Sequence, residues 1–423
     1  MQLVAYGAQD IYLTGNPQIT FFKVVYRRHT NFAMEAIEQA FTGSVDFGRK
    51  ISCIVDRNGD LVGRMYLEVD MTLAGSTRAA QHIELGEDVH RFGHAMIREV
   101  EVEIGGQCID RHYGEWLELW SQLTCTDDEL TTLRTMIGGG IITNGTTSTS
   151  GKAKLYIPLQ FWFNRNPGLA LPLIALQYHE VKLNVFIQER AKLAISASAS
   201  IDQICLYCDY VFLDTDERRR FAQVSHEYLI EQLQFNNIHS VSGSETTANI
   251  DLRFNHPCKE LVWVVQPQTS GQTSGAAKNP FQYSYYTSNV HYDALNSAKL
   301  QLNGHDRFRE REGTYFRCVQ PYQHHTGLHR QGGDSDATSN SGFTTGDGNG
   351  VHGEDGYIYT YSFGLKPEEH QPSGTCNFSR IDNAVLQLKL NSSVTADKFV
   401  KVYTTNYNVL RVMSGMGGLA YSN

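Results

Sequence analysis

The chain has 423 residues, of which 41% are hydrophobic and 19% are charged, and its formal net charge is −9. Because nucleic-acid affinity depends on Lys and Arg neutralising phosphates, this acidic balance argues against a protein that coats DNA and favours protein partners. The length exceeds that of one ordinary core and fits two all-β domains of roughly 200 residues each. The 37 Gly, 22 Tyr and 20 Phe residues favour sheets and turns over surface helices.

We expect neither export nor membrane insertion. The chain does not open with a cationic segment followed by an apolar one, and its most apolar stretch, residues 169–176, is far shorter than the roughly 20 residues of a membrane helix. Eight cysteines scattered along so long a chain do not form a disulfide framework, so we expect reduced and mostly buried thiols. These features predict a soluble protein that is made in the cytosol.

The first half begins with an arm and then shows strand patterns. Residues 1–20 contain turn signals, and the apolar run 19–26 is predicted to be the first strand. Residues 50–55 and 61–71 are predicted to form a hairpin, because the Asn58-Gly59 pair between them tolerates the positive φ of a tight turn.

A half-buried strand and two helices follow. The alternation at residues 99–104 places three carboxylates on one face and three apolar side chains on the other, which is typical of a half-buried strand. Amphipathic patterns at 113–120 and 127–136 predict helices that cross between strands. Residues 143–151 are polar and rich in Ser, Thr and Gly, and they predict a flexible loop.

A polar segment joins two strand-rich halves of nearly equal length. Asp214 or Thr215 is suited to cap a short helix, and two acidic residues then lie in its first turn, where the helix dipole favours them. An apolar, β-branched run at 201–213 precedes this helix, and a second strand pattern at 227–235 follows it. We therefore predict a helical linker between two sheet domains.

A weak internal repeat relates the two halves. Residues 100–106 resemble 298–304 in a strand-then-turn pattern, and 181–185 resemble 386–390, at offsets close to half the chain. Two similar antiparallel bodies with long loops favour sandwiches of the jelly-roll kind. The glycine-rich tract 331–356 cannot bury enough apolar surface to fold alone, so it is predicted to be an exposed loop.

Two groups of residues have side chains that can ligate metals. Cys205 and Cys208 form a CxxC, but residues an odd number apart on a strand point to opposite faces, so core cysteines are favoured. His324, His325 and His329 could bind a metal or titrate near neutrality, yet no acidic partner is obvious, so a solvated loop is favoured. We expect no metal site.

The sequence offers no convincing active site. Arg218, Arg219 and Arg220 could clamp a phosphate, but beside two acidic residues on a short helix they are better explained as surface or interface ion pairs. The chain lacks the Gly-x-Ser-x-Gly motif of a nucleophile elbow and the His-x-His spacing that jelly-roll metalloenzymes use. We expect no enzymatic activity, no catalytic residue and no cofactor.

Long blocks of sequence are more specific than these patterns. They are LVAYGAQDIYLTGNPQITFFK at 3–23, PGLALPLIALQYHEVKL at 167–183, the linker itself, QPSGTCNFSRIDNA at 371–384 and NYNVLRVMSGMGGLAYSN at 406–423. These blocks resemble the major capsid proteins of nucleocytoplasmic large DNA viruses, closest to the algal-virus and mimivirus-like members. The resemblance implies an all-β double jelly roll, in which two eight-stranded antiparallel β-sandwiches lie in tandem, here with short crossover helices.

The same resemblance implies a structural protein of the virion. Three chains would form a homotrimeric capsomer in which six similar sandwiches surround a three-fold axis, and its pseudo-hexagonal outline would tile a large icosahedral shell. Long loops would project outward, where members of the family can carry glycans added outside the secretory route. The alternative function is a jelly-roll carbohydrate-binding protein that stacks sugars on its Tyr and Trp side chains.

We divide the chain into an N-terminal arm at 1–20, a first jelly roll at 21–213, a linker at 214–226 and a second jelly roll at 227–423. The expected partners are further copies of the chain and neighbouring capsomers, without direct contact to nucleic acid. The arm is expected to reach minor capsid proteins or an internal membrane on the inner face, or else to fold onto its own subunit. Synthesis is expected in the host cytoplasm.

Overall fold

The computed structural model describes residues 7–72, 91–139, 152–193, 199–267, 281, 283, 285–287, 290–327 and 357–421. Within these residues the chain consists of antiparallel strands and a few short helices. In this part of the chain, no helix combines the length and the apolar character needed to span a bilayer.

In the first half, two antiparallel sheets face each other around one core. The strands are β1 Phe32–Ala40, β2 Lys50–Ile54, β3 Leu61–Thr72, β4 Ile97–Ile104, β5 Gln107–Tyr113, β6 Lys152–Pro158, β7 Leu171–Pro172, β8 Val181–Ile187 and β9 Ser200–Leu213. Sheet 1 has the order β1-β9-β3-β6, with β7 beside β3, and sheet 2 has the order β2-β8-β4-β5. Leu67 of sheet 1 and Val102 of sheet 2 are among the side chains buried between them.

The second half repeats this arrangement. The strands are β10 His226–Val241, β11 Thr247–Asp251, β12 Pro257–Pro267, β13 Tyr285–Thr287, β14 Val290–Tyr292, β15 Leu295–Leu302, β16 His305–Asp306, β17 Arg311–Glu312, β18 Ile358–Ser362, β19 Cys376–Asn377, β20 Ala384–Leu390, β21 Lys398–Met413 and β22 Met416–Leu419. Sheet 3 has the order β10-β21-β12-β18, with β19 beside β12 and β22 beside β21. Sheet 4 has the order β11-β20-β15-β16, with β17 beside β15. Each half thus contains two sheets built on the same order of four strands, which confirms the predicted double jelly roll.

The internal repeat corresponds to one hairpin that occurs in both halves. Gly105 and Gly106 turn between β4 and β5 with φ of 59° and 81°, and Asn303 and Gly304 turn between β15 and β16 with φ of 51° and 77°. Two successive positive φ angles define the tight turn that suits a two-residue hairpin. The neighbouring strands also match, because β4 pairs with β8 and β15 pairs with β20.

Short helices connect the sheets. They are α1 Ile11–Thr14, α2 Phe92–Met96, α3 Gly114–Thr124, α4 Asp127–Arg134, α5 Trp162–Arg165, α6 Arg190–Leu193, α7 Thr215–Gln223 and α8 Gln320–His324, with π-helical turns at Thr135–Gly139 and Tyr315–Val319 and 3-10 turns at Pro167–Leu169 and Phe378–Arg380. The predicted crossover helices are α3 and α4, which connect sheet 2 to sheet 1. The predicted linker helix is α7, and its first N–H, at Thr215, donates to the Asp214 carboxylate at 2.8 Å.

The predicted hairpin at residues 50–71 is wrong, although both of its strands exist. β2 pairs with β8 in sheet 2, whereas β3 pairs with β9 and β6 in sheet 1. In a jelly roll the chain crosses from one sheet to the other at this point, so the two strands cannot pair. Gly59 does not provide a positive φ; instead, a Cβ placed on it would lie 2.9 Å from Cβ of the buried Tyr210.

Replacing Gly59 by Ala is expected to lower the free energy of unfolding by about 1–3 kcal/mol, because the added methyl group would overpack the Tyr210 side chain. The matched control is Gly63→Ala in β3, where the nearest atom to the new Cβ lies 3.8 Å away. Denaturant unfolding of both variants measures the difference. Equal destabilisation would contradict the packing argument.

The predicted first strand at residues 19–26 is also wrong. This segment lies outside the sheets, and the first strand begins at Phe32. Residues 11–31 are all exposed, including Phe21 at 87% and Phe22 at 98%. The apolar run therefore belongs to an exposed segment between the arm and the first strand rather than to the core, which local periodicity could not reveal.

The two ends of the molecule differ. β1 begins opposite the last residue of β9, and β10 begins opposite the end of β21, so the arm, the linker and the C-terminal hairpin β21–β22 share one end. At the other end, Thr72 pairs with both Lys152 and Ser200. The chain therefore enters the segment 73–90 and leaves the segment 140–151 at that end. The loops predicted at 143–151 and 331–356 lie outside the described residues.

Candidate assembly surfaces

A helix of the first half lies on the outward face of sheet 3. Trp116 and Trp120 of α3 pack in a buried apolar cluster with Tyr403 of β21, and the ring centroids of Trp116 and Tyr403 are 5.7 Å apart. The Glu115 carboxylate accepts hydrogen bonds from Lys401 Nζ at 2.9 Å and from the Tyr403 hydroxyl at 2.8 Å. Burial and this carboxylate hold the pKa of Tyr403 well above its usual range. An apolar contact with an embedded ion pair thus joins the two sandwiches.

A second buried carboxylate, Glu231 of β10, is surrounded by three basic side chains. It lies 2.9 Å from Arg165 Nη2, 2.8 Å from Lys259 Nζ and 3.3 Å from His370 Nδ1. Burial alone would favour the neutral acid, but Arg165, His370 and Lys259 together lower the pKa of Glu231 to about 2. Because Arg165 belongs to the first half and Glu231 to the second, this network fixes one sandwich against the other.

His325 lies between two carboxylates. Its Nε2 is 2.8 Å from Glu260 and its Nδ1 is 3.0 Å from Glu368. Both ring nitrogens act as donors only in the charged imidazolium. Burial would lower the pKa of His325, but the two carboxylates raise it to about 9. The group is therefore a buried ion triad near neutral pH.

The solvated loop predicted for the three histidines is thus wrong for His325. His324 is only partly buried, and its Nδ1 lies 3.0 Å from the Leu365 carbonyl oxygen, while His329 lies outside the described residues. The acidic partners of His325 are 65 and 43 positions away in the sequence. Such partners leave no local signal, and only the fold brings them together.

The basic run of the linker helix forms an ion pair, as predicted, through its first arginine. Arg218 Nε and Nη2 lie 2.9 and 3.0 Å from the two oxygens of Asp60, which also accepts the Leu213 backbone N–H at 2.8 Å. Arg219 and Arg220 are exposed. The pair anchors the start of the linker to the first sandwich.

The CxxC cysteines are buried on opposite faces of β9. Cys208 lies in the first core, whereas Cys205 Sγ lies 3.0 Å from the Glu38 carboxylate on the outward face of sheet 1. Burial and, to a smaller extent, the hydrogen bond with Glu38 raise the pKa of Cys205 to about 11. Among the residues that the structure describes, no three His, Cys, Asp or Glu side chains are arranged to hold a metal ion.

Comparisons with known proteins agree with this architecture. A family model described as the major capsid protein N-terminus matches residues 20–214, and a model of the large eukaryotic DNA virus major capsid protein matches 217–332 and 353–418. The major capsid protein of Pyramimonas orientalis virus is 51% identical, and that of Paramecium bursaria Chlorella virus 1 is 42% identical; each alignment covers 100% of this chain and 99% of the relative. Capsid protein 1 of Acanthamoeba polyphaga mimivirus is 33% identical over the same shares.

A solved structure gives the same result. The quasi-atomic model of the PBCV-1 virus capsid matches with a TM-score of 0.74 and 38% identity, over 96% of this chain and 100% of that chain. The Faustovirus major capsid protein matches in fold, with a TM-score of 0.71 at 13% identity, over 96% of this chain and 94% of that chain.

Two matching jelly rolls in tandem, aligned with capsid proteins from end to end, define a structural protein of the virion capsid. The chain belongs to the family of large eukaryotic DNA virus major capsid proteins. The predicted resemblance to algal-virus and mimivirus-like members is confirmed. None of these comparisons supports the alternative of a carbohydrate-binding protein.

Proposed function

We propose that the chain forms homotrimeric, pseudo-hexagonal capsomers that tile the icosahedral shell of a large DNA virus. The repeated strand order carries this proposal, because three chains with two like sandwiches each supply six like bodies for a closed ring. The relatives named above are capsid proteins, which supports a role without catalysis, cofactor or direct contact with nucleic acid. Neighbouring capsomers would then meet through smaller and more polar contacts.

The native mass of the purified protein tests this proposal. Light scattering after gel filtration is expected to give three times 47.6 kDa, and electron microscopy of the same peak is expected to give a hexagonal outline. A stable 47.6 kDa monomer at high concentration would contradict it.

We propose the domain assignment given by the sequence, with an arm at 1–20, jelly rolls at 21–213 and 227–423, and a linker at 214–226. Separate cores between sheets 1 and 2 and between sheets 3 and 4 support two jelly rolls, and the capped helix α7 supports the linker. The exposed segment continues beyond the arm to residue 31.

We propose that the arm binds on the inner face of the shell, to a minor capsid protein or an internal membrane. The exposure of residues 11–31 supports an arm that reaches another molecule rather than its own subunit. Nine large side chains of the arm and of the exposed segment that follows it present apolar surface to solvent; they are Ile11, Tyr12, Leu13, Ile19, Phe21, Phe22, Val24, Val25 and Tyr26. Lys23, Arg27 and Arg28 add positive charge close to these apolar side chains.

Replacing both Phe21 and Phe22 by Asp is expected to leave the trimer intact and to abolish inner-face binding. Vesicles that contain an anionic lipid are the first probe, and co-sedimentation is expected to fall at least about tenfold, because two aromatic anchors are lost. Val224→Asp, another exposed apolar position, is the control. If the wild-type capsomer does not co-sediment with vesicles, a membrane is excluded as the binding partner, and a minor capsid protein remains as the proposed partner.

We propose that the chain is made in the host cytoplasm and that glycans, where present, lie on exposed loops. The structure describes all eight cysteines and none of them forms a disulfide, which suits a reducing compartment. The sequence contains three Asn-x-Ser/Thr glycosylation motifs, at Asn144, Asn377 and Asn391. Asn144 lies outside the described residues, Asn377 is exposed, and Asn391 donates its side-chain N–H to the Asp293 carbonyl at 3.1 Å. Intact mass measurement of protein from virions would detect added sugars.

A further inference from the structure

The contact between the two sandwiches joins a helix and a sheet face, and each of them has an equivalent in the other half of the chain. Helix α3 of the first half covers the outward face of sheet 3 in the second half. Because the fold is repeated, the second half has its own helical segment at the position of α3, and the first half has its own outward face on sheet 1. Among the described residues of one chain, neither of these equivalents is covered by the corresponding partner.

The uncovered face of sheet 1 resembles the covered face of sheet 3. Tyr207 of β9 stacks on Tyr66 of β3 with ring centroids 5.2 Å apart, just as Phe235 of β10 stacks on Tyr403 of β21 at 4.8 Å. Tyr156 of β6 extends the first pair, with its ring 6.2 Å from that of Tyr66. Whereas Tyr403 is 1% exposed, the three tyrosines of sheet 1 are only partly buried.

The helical equivalent of α3 is the segment 315–324. It follows β17 and precedes β18, as α3 follows β5 and precedes β6. Phe316 points into the second core, as Leu117 of α3 points into the first. On the other side of the segment, Val319 is 40% exposed and Tyr322 is 75% exposed. The corresponding side of α3 holds the tryptophans that are buried on sheet 3.

The two surfaces carry charges of opposite sign. Glu38 and Glu68 lie on the outward face of sheet 1, next to Tyr207 and Tyr66, and Glu68 also pairs with Lys154 of β6. Arg311 of β17 is exposed just before the helical segment, where its guanidinium lies 4.3 Å from the ring centroid of Tyr315. The contact inside the chain also places one charge of each sign across the junction, but in the reverse order, with Glu115 on the helix and Lys401 on the sheet.

We infer that the segment 315–324 of one copy covers the outward face of sheet 1 of a second copy. The contact is head to tail, so each copy offers one segment and one face, and a ring closes when the last segment meets the first face. This inference rests on the proposed function, since a ring of three copies contains six such junctions, three within chains and three between them. It assigns Val319 and Tyr322 to one side of the junction, and Tyr66, Tyr156 and Tyr207 to the other.

Two single substitutions test the junction from its two sides. Tyr322→Asp on the segment and Tyr207→Asp on the face are each expected to weaken trimer formation at least about 100-fold, because a buried charge replaces a central aromatic side chain. Tyr178→Asp is the matched control, because Tyr178 is also 75% exposed but lies in the loop before β8. Sedimentation velocity at several concentrations gives the dissociation constants.

Mixing the two variants adds a test of direction. Tyr322→Asp retains the unaltered face of sheet 1, and Tyr207→Asp retains the unaltered segment 315–324. An equimolar mixture is therefore expected to give heterodimers that cannot close into a ring of three, although neither variant dimerises alone. If Tyr207→Asp does not fold, Tyr322→Asp still decides, since a monomer is expected and an undiminished trimer would overturn the inference. A wild-type protein that stays monomeric would instead refute the proposed trimer itself.

Discussion

Replacing Glu231 by Gln is expected to lower the free energy of unfolding by about 3–5 kcal/mol, the largest effect of any single substitution considered. The change removes the one carboxylate shared by Arg165, Lys259 and His370. Lys259 is 3% exposed, so its ammonium group would be left buried without its partner. Because the pKa of Glu231 is lowered to about 2, its contribution is present above pH 4.5 and is lost as the pH falls towards 2.

The matched control for this prediction is Glu227→Gln, four positions earlier on β10. Glu227 forms a 2.8 Å ion pair with Arg411, but both side chains are exposed. Exposed pairs contribute less than about 1 kcal/mol, so this variant is expected to unfold almost like the wild type. Denaturant unfolding at pH 7 compares the two. Similar losses in both variants would refute the role assigned to the buried network.

Raising the pH from 6.5 to above 9 is expected to remove about 3 kcal/mol of stability through His325 alone. The imidazolium is stabilised in the folded protein by Glu260 and Glu368, which raise its pKa to about 9. A group with a raised folded pKa contributes fully below its unfolded pKa of about 6.5, and its contribution is lost as the pH rises through 9. Deprotonation of His325 in the ion triad is therefore expected to lower the stability of the folded protein at alkaline pH.

The variant His325→Gln isolates this effect. It is expected to be less stable than the wild type by about 3 kcal/mol at pH 6, and the gap should narrow as the pH approaches 10. His324→Gln, one residue away and only partly buried, should follow the wild-type profile. Unfolding midpoints measured from pH 6 to pH 10 give the three curves. A wild-type curve that stays flat over this range would contradict the assigned triad.

Features set by neighbouring residues could be predicted from the sequence. The helix α7 follows from an acidic cap at Asp214, and the tight turns at Gly105-Gly106 and Asn303-Gly304 follow from residues that accept positive φ. The alternation at 99–104 gave β4 correctly, because a strand with one buried face imposes a period of two. The repeat of these local signals was enough to indicate two like domains.

Features set by distant residues could not be predicted in this way. The segments at 50–55 and 61–71 looked like a hairpin because turn chemistry is local, whereas the choice of sheet depends on strands more than 100 positions away. The run 19–26 looked like a core strand because an exposed apolar segment can have the same composition as a buried strand. The assembly surfaces were missed for the same reason, since their pairing exists only in the folded chain.

The separation of the two ends has a consequence for how such a protein can change. Residues added between β3 and β4, or between β5 and β6 beyond α4, lengthen connections that leave the sheets at the end opposite the arm and the linker. In the proposed capsomer, such additions would alter the height above the shell without altering the footprint, so the lattice spacing of the shell would stay constant. The fold can therefore diversify, or be engineered to display foreign peptides, on one surface while the geometry of the particle is conserved.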